Sequence, residues 1–100
     1  MITTIENLQY LPPLETLNLS NNRIQSLEGL SSQNSIRELD VSHNLIETLQ
    51  GIEQLKSLRT LNLAYNQITD IKEIQRLKVH KELRELHIEG NRITELRYIN

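Results

Sequence analysis

Four copies of one pattern constrain the fold of this chain more than any other feature. Leu14, Leu17, Leu19, Asn22 and Ile24 recur as Ile36, Leu39, Val41, Asn44 and Ile46, then as Leu58, Leu61, Leu63, Asn66 and Ile68, and finally as Leu83, Leu86, Ile88, Asn91 and Ile93. The copies begin 22, 22 and 25 residues apart, so the third unit carries three extra residues, expected within Lys78–Glu82. Units of roughly 20–50 residues that repeat in this way bury their apolar faces only against each other, which makes the chain a stack. The second half of each unit repeats as well: Ile24, Leu27, Leu30; Ile46, Leu49, Ile52; Ile68, Ile71, Ile74; and Ile93, Leu96, Ile99. A shift back by one unit lands on Ile2, Ile5 and Leu8. The expected organisation is one domain over residues 1–100: a half-repeat 1–13, repeats 14–35, 36–57 and 58–82, and a partial repeat 83–100.

Each column has a physical role. Alternate residues of a strand point to opposite faces, so Leu17 and Leu19 enter a core while Thr16, Asn18 and Ser20 face out. Four such strands stack into a short parallel sheet. The three-residue period of the downstream half suits 3₁₀, short helical or irregular return segments that close the same core. The class is α/β. Asn22, Asn44, Asn66 and Asn91 fall where the chain leaves each strand, and an amide there offers donors and an acceptor to loop groups otherwise unsatisfied. They are expected to form a structural ladder. Gly29 and Gly51 share a column with Asn7, which points to a left-handed turn, and Glu73 and Tyr98 break that column.

Composition narrows the function. At 100 residues there is room for one core, and with three tyrosines as the only aromatics it must be built from Leu and Ile. No cysteine is present, which excludes disulfide and thiolate–metal chemistry and favours a reducing compartment. The N-terminus lacks the pattern of a secretory leader, and no apolar run approaches the roughly 20 residues of a membrane span. A net charge of −2 disfavours polyanion binding, because neutralising phosphates needs a basic surface. The expectation is a cytoplasmic protein that engages neither membrane nor nucleic acid.

These residues resemble the leucine-rich repeat family. The 22-residue spacing with Leu27-Glu28-Gly29-Leu30 and Leu49-Gln50-Gly51-Ile52 is similar to its intracellular, phosphatase-regulator-like type. The resemblance implies a solenoid with the sheet on its concave face, and a non-enzymatic adaptor or scaffold that binds protein. The lengthened third unit, with Leu77 to Leu83, resembles the N-terminal repeats of centrosomal and ciliary leucine-rich repeat and coiled-coil proteins, which implies a cytoskeletal, centrosomal or ciliary location. Solenoids cover their last repeat with a polar cap, and the sequence reaches Asn100 without one. The chain is therefore expected to be part of a longer protein, or to pair end to end as a homo-oligomer, ahead of a third alternative, a short protein that tolerates a bare end. The alternatives to a partner-binding scaffold are such a self-assembly element or the regulatory subunit of a phosphatase.

Catalytic and metal readings are weak. Asp40, Ser42 and His43 include the residue types of a hydrolytic trio, but they are one strand exit of the repeat, and no oxyanion-stabilising turn accompanies them. His43, His80 and His87 lie in different units without ligand spacing. No catalytic residue, metal site or cofactor is expected. The sequon Asn18-Leu19-Ser20 lies within a strand and is attributed to chance.

A partner is expected on the concave face and its flanks. The outward columns are Thr16, Glu38, Thr60, Glu85; Asn18, Asp40, Asn62, His87; Ser20, Ser42, Ala64, Glu89; and Asn21, His43, Tyr65, Gly90. Glu15, Arg37, Arg59 and Arg84 precede them, setting a basic stripe beside an acidic floor, with some pairing expected between the two. The expected contact residues are Arg37, Glu38, Asp40, His43, Arg59, Asn62, Tyr65, Arg84, Glu85, His87 and Glu89. Tyr65 is the aromatic anchor and Leu45 a second one. Four strands at about 4.8 Å span only about 15 Å, so a stable partner must also touch the flanks.

Overall fold

The expected stack forms. The structure is a computed structural model that describes residues 1–93, so the expectations for Leu96, Tyr98 and Ile99 lie outside it. Each unit contributes one three-residue strand: β1 (Thr16–Asn18), β2 (Glu38–Asp40), β3 (Thr60–Asn62) and β4 (Glu85–His87). They lie parallel in sequence order, and Thr16, Glu38, Thr60 and Glu85 are register partners, as are Asn18, Asp40, Asn62 and His87. These are the columns that the repeat spacing predicts.

The middle residue of each strand faces inward, and Leu39 and Leu61 are buried there. The return segments add Ile24, Leu27, Leu30, Ile46, Leu49, Ile52 and Leu55, all solvent-free. Burying such a side chain contributes about 1.5–3 kcal/mol, so the aliphatic monotony of the sequence is the source of stability. Leu17, Leu19, Leu86 and Ile88, in the first and fourth units, are half-buried and pack against this core.

The three extra residues of the third unit do not lie in Lys78–Glu82. Leu30, Ile52 and Leu77 occupy equivalent places, because the amides of Gln33, Leu55 and His80 donate to their respective carbonyls. The next steps also match, with Ile36, Leu58 and Leu83 donating to Gln33, Leu55 and His80. The insertion therefore falls between Ile68 and Leu77, where the chain winds the helix α1 (Ile71–Gln75) and runs on into a 3₁₀ turn over Arg76–Val79. Asp70 caps α1 by accepting from the Lys72 amide at 2.9 Å.

The left-handed column is present at Asn7 (φ 69°), Gly29 (φ 103°) and Gly51 (φ 101°). Its member in the third unit is Arg76, in helical conformation, and not Glu73. The helix replaces the left-handed turn. Glu73 instead reaches back to the second unit, where its Oε1 accepts from the Leu49 amide (2.8 Å) and the Thr48 hydroxyl (3.0 Å). Arg76 donates to Glu73 and to Glu53, at 3.0 and 2.8 Å, clasping α1 to its neighbour. Two buried polar side chains fasten other turns: Gln33 bonds the Leu14 amide and Leu8 carbonyl, and His80 bonds the Ile52 carbonyl.

The asparagine ladder has one wiring throughout. Each Oδ1 accepts an amide of the preceding unit: Asn22 from Ile2, Asn44 from Ile24, Asn66 from Ile46 and Asn91 from Ile68. Each Nδ2 donates to strand-exit carbonyls of its own unit. Asn44 and Asn66 are buried, whereas the terminal rungs are half-exposed.

Candidate functional site

The concave face divides into an entry end, a floor and an exit end. At the entry end, Arg37, Arg59 and Arg84 stand side by side, one residue before β2, β3 and β4, with their side chains exposed. Together with Glu15, Thr16, Glu38, Thr60 and Glu85 they line a trough of about 550 Å³ across all four strands. The expected pairing of stripe with floor is sparse. Arg37 meets Glu15 at 3.9 Å, with both side chains largely exposed, and among the described residues neither Arg59 nor Arg84 has an ion-pair partner. The floor carboxylates are turned elsewhere: Glu38 accepts from the Thr16 hydroxyl at 3.2 Å and Glu85 from His87 Nε2 at 2.7 Å. The Glu85 hydrogen bond, aided by the charges of Glu85, Glu89 and Asp40, raises the His87 pKa above its ordinary value.

The middle of the floor is partly occupied by the fold's own bonding. Asp40 Oδ1 accepts from the Ser42 amide (3.0 Å) and hydroxyl (2.7 Å), and Asn62 Oδ1 from the Ala64 amide (3.0 Å). Asn18 does the same for Ser20. These side-chain caps turn the chain out of each strand, a duty that sequence reasoning missed for Asp40 and Asn62. They also tuck the next column inward: Ser42 and Ala64, expected to face out, are buried. Because the Ser42 hydroxyl donates to Asp40, and His43 is stacked elsewhere, the three residues do not form a nucleophile–base pair.

The exit end is the second surprise. Asn21, His43, Tyr65 and Gly90 are all left-handed, with φ of 62°, 55°, 59° and 78°. The signal was present in the Asn and Gly of this column, both of which favour that conformation. The turn projects the side chains along the stack. His43 and Tyr65 lie face to face, their centroids 4.7 Å apart and their planes within 13°. Tyr65 rests on Gly90, where any Cβ would overlap its ring, and remains 53% exposed. Leu45 is half-buried among exposed Arg23, Gln67 and Arg92, and Glu89 is exposed beside Gly90. The structure thus gathers Arg37, Glu38, Arg59, Arg84 and Glu85 at one end and His43 and Tyr65 at the other.

Among the described residues no group of His, Cys, Asp or Glu is placed to hold a metal ion, and no helix is long and apolar enough to cross a membrane. Among the described residues, the exposed aromatic feature of this face is the stack of His43 on Tyr65.

The family follows from sequence and shape together. Two family models match, "Leucine Rich repeats (2 copies)" over residues 34–76 and "Leucine rich repeat" over residues 5–46, and the chain belongs to the leucine-rich repeat proteins. Among solved structures it is similar to internalin C2 of Listeria monocytogenes, at 27% identity and a TM-score of 0.75 over 89% of this chain. It is also similar in fold to a chain of the Drosophila melanogaster SNF/U2A′ complex, at 24% identity and a TM-score of 0.82 over 92% of this chain. The match spans only 38% of the first of these chains and 55% of the second. No curated protein matches in sequence. Leucine-rich repeats are generally a non-enzymatic fold that mediates protein–protein interaction.

Proposed function

We propose that this chain is a scaffold that binds a protein partner across its concave face and flanks. The observation that carries this reading is the exposed His43–Tyr65 stack on the same face as Arg59 and Arg84, which have no ion-pair partner among the described residues. Aromatic and arginine side chains dominate binding hot spots because they bring large area, or several donors, at low conformational cost. A rigid stack resting on Gly90 loses little freedom when a partner covers it. The SNF/U2A′ neighbour is named as part of a complex, which favours the same reading. We place this work in the cytoplasm, on the cysteine-free composition, and at the cytoskeleton or centrosome, on the resemblance of the lengthened unit.

The test is capture of the partner from cell extract by the intact chain and by an Arg59→Glu, Tyr65→Ala double variant. Both positions are exposed, so the variant should fold. Loss of the captured protein supports concave-face binding, and full retention refutes it. A second reading, self-association through uncapped repeat ends, draws on the exposed Ile2, Tyr10 and Leu11 of the half-repeat that precedes β1. Sedimentation that stays monomeric over a wide concentration range would rule it out.

A further inference from the structure

We propose that the trough at the entry end of the sheet receives an α-helix of the partner, lying across the strands and carrying a stripe of carboxylates over Arg37, Arg59 and Arg84. This proposal rests on the protein-binding reading and names the chemistry of one part of the interface.

Charge gives the sign. Arg59 and Arg84 are register neighbours, since the Arg59 carbonyl accepts the amides of Arg84 and Glu85 at 2.9 and 3.1 Å. Two like charges thus stand one strand apart, and the three carboxylates that line the trough are engaged: Glu15 with Arg37, Glu38 with Thr16 and Glu85 with His87. The chain as a whole is acidic, at −2, so this positive strip is local and does not favour polyanions in general.

Spacing gives the shape. Neighbouring strands are about 4.8 Å apart, which sets the arginines at intervals of about 4.8 and 9.6 Å. Side chains at i and i+4 on a helix lie about 5–6 Å apart, and i and i+7 are separated by about 10.5 Å of rise. Both intervals fit. Same-face residues of an extended peptide fall at about 6.7 and 13 Å and miss the second or third arginine. A guanidinium also takes a carboxylate through two parallel bonds, which fixes the helix rotation.

The experiment titrates the full chain with two synthetic helical peptides of equal composition and charge, and follows the arginine Nε–H resonances. One peptide carries three glutamates at i, i+4 and i+7; the other distributes them around the helix. The expected result is at least roughly tenfold tighter binding of the striped peptide, with shifts centred on Arg59 and Arg84 and lost in the Arg59→Gln, Arg84→Gln variant. The backbone spectrum of that variant reports whether it is folded. Equal binding of the two peptides, or no shift at millimolar peptide, overturns the proposal. So does inorganic phosphate reproducing the shifts at equal concentration, which would mark a general anion site. If the peptide fails while Tyr65→Ala alone still abolishes partner capture, the helix is wrong and the scaffold reading stands.

Discussion

Replacing Asn44 by Ala tests the ladder at its best-defined rung. Its amide makes four bonds: Oδ1 accepts from Ile24 N at 2.9 Å, and Nδ2 donates to the carbonyls of Leu19, Val41 and Ser42 at 3.0, 3.0 and 3.1 Å. The carbonyls each keep another donor, namely Asn22 Nδ2 for Leu19, Asn66 Nδ2 for Val41 and the Asn21 amide for Ser42. Only the Ile24 amide, in a solvent-free residue, is left with no partner. One orphaned buried donor costs about 1–3 kcal/mol, a large fraction of the roughly 5–15 kcal/mol that holds a domain together. At the end of the ladder, Asn22 serves the amide of Ile2, which is 43% exposed, so water takes over the bond. Urea unfolding followed by circular dichroism should show Asn44→Ala destabilised by about 1–3 kcal/mol and Asn22→Ala by about 1 kcal/mol or less, with similar slopes. Equal losses at the two positions, or less than about 0.5 kcal/mol at Asn44, would refute the orphan-donor reasoning.

Gly29 and Gly51 share a left-handed conformation but not a neighbourhood: a Cβ at Gly51 would lie 3.3 Å from the Leu27 carbonyl oxygen, whereas one at Gly29 would overlap that of Ile5. Thermal unfolding should therefore show Gly51→Ala losing about 1–3 kcal/mol, the usual strain of a non-glycine residue there, and Gly29→Ala losing more because the half-repeat must move. His87 has a raised pKa, so its pairing with Glu85 stabilises the fold below the unfolded value near 6.5 and is lost as pH rises through the folded value. An NMR titration should place the His87 midpoint above 6.5, and Glu85→Gln should bring it down; an unchanged midpoint would count against the bond.

The repeat columns made the strands, their register and the ladder legible, because burial of Leu39 and Leu61 and the wiring of Asn44 and Asn66 demand one residue type at one spacing. The misplaced insertion has an equally physical cause. Ile68, Ile71, Ile74, Leu77, His80 and Leu83 all stand three residues apart, so three extra residues leave that pattern unchanged and cannot be located by it. Only the hydrogen bonds of Leu77, His80 and Leu83 show where the added turn lies. At the site, the stripe of Arg37, Arg59 and Arg84 was readable from register alone. The stack was not, since His43 and Tyr65 meet only because a left-handed turn aims them along the solenoid. Nor could the sequence distinguish Asp40 and Asn62 as free polar groups from the turn caps that they are.

The concave face as the docking surface is tested most directly by photo-crosslinking. A photoreactive side chain is placed in turn at Glu38, exposed on β2, and at Lys72, exposed on α1, and the captured partner is irradiated with each. Docking on the concave face predicts a crosslink from position 38 and none from position 72. The reverse pattern would contradict it.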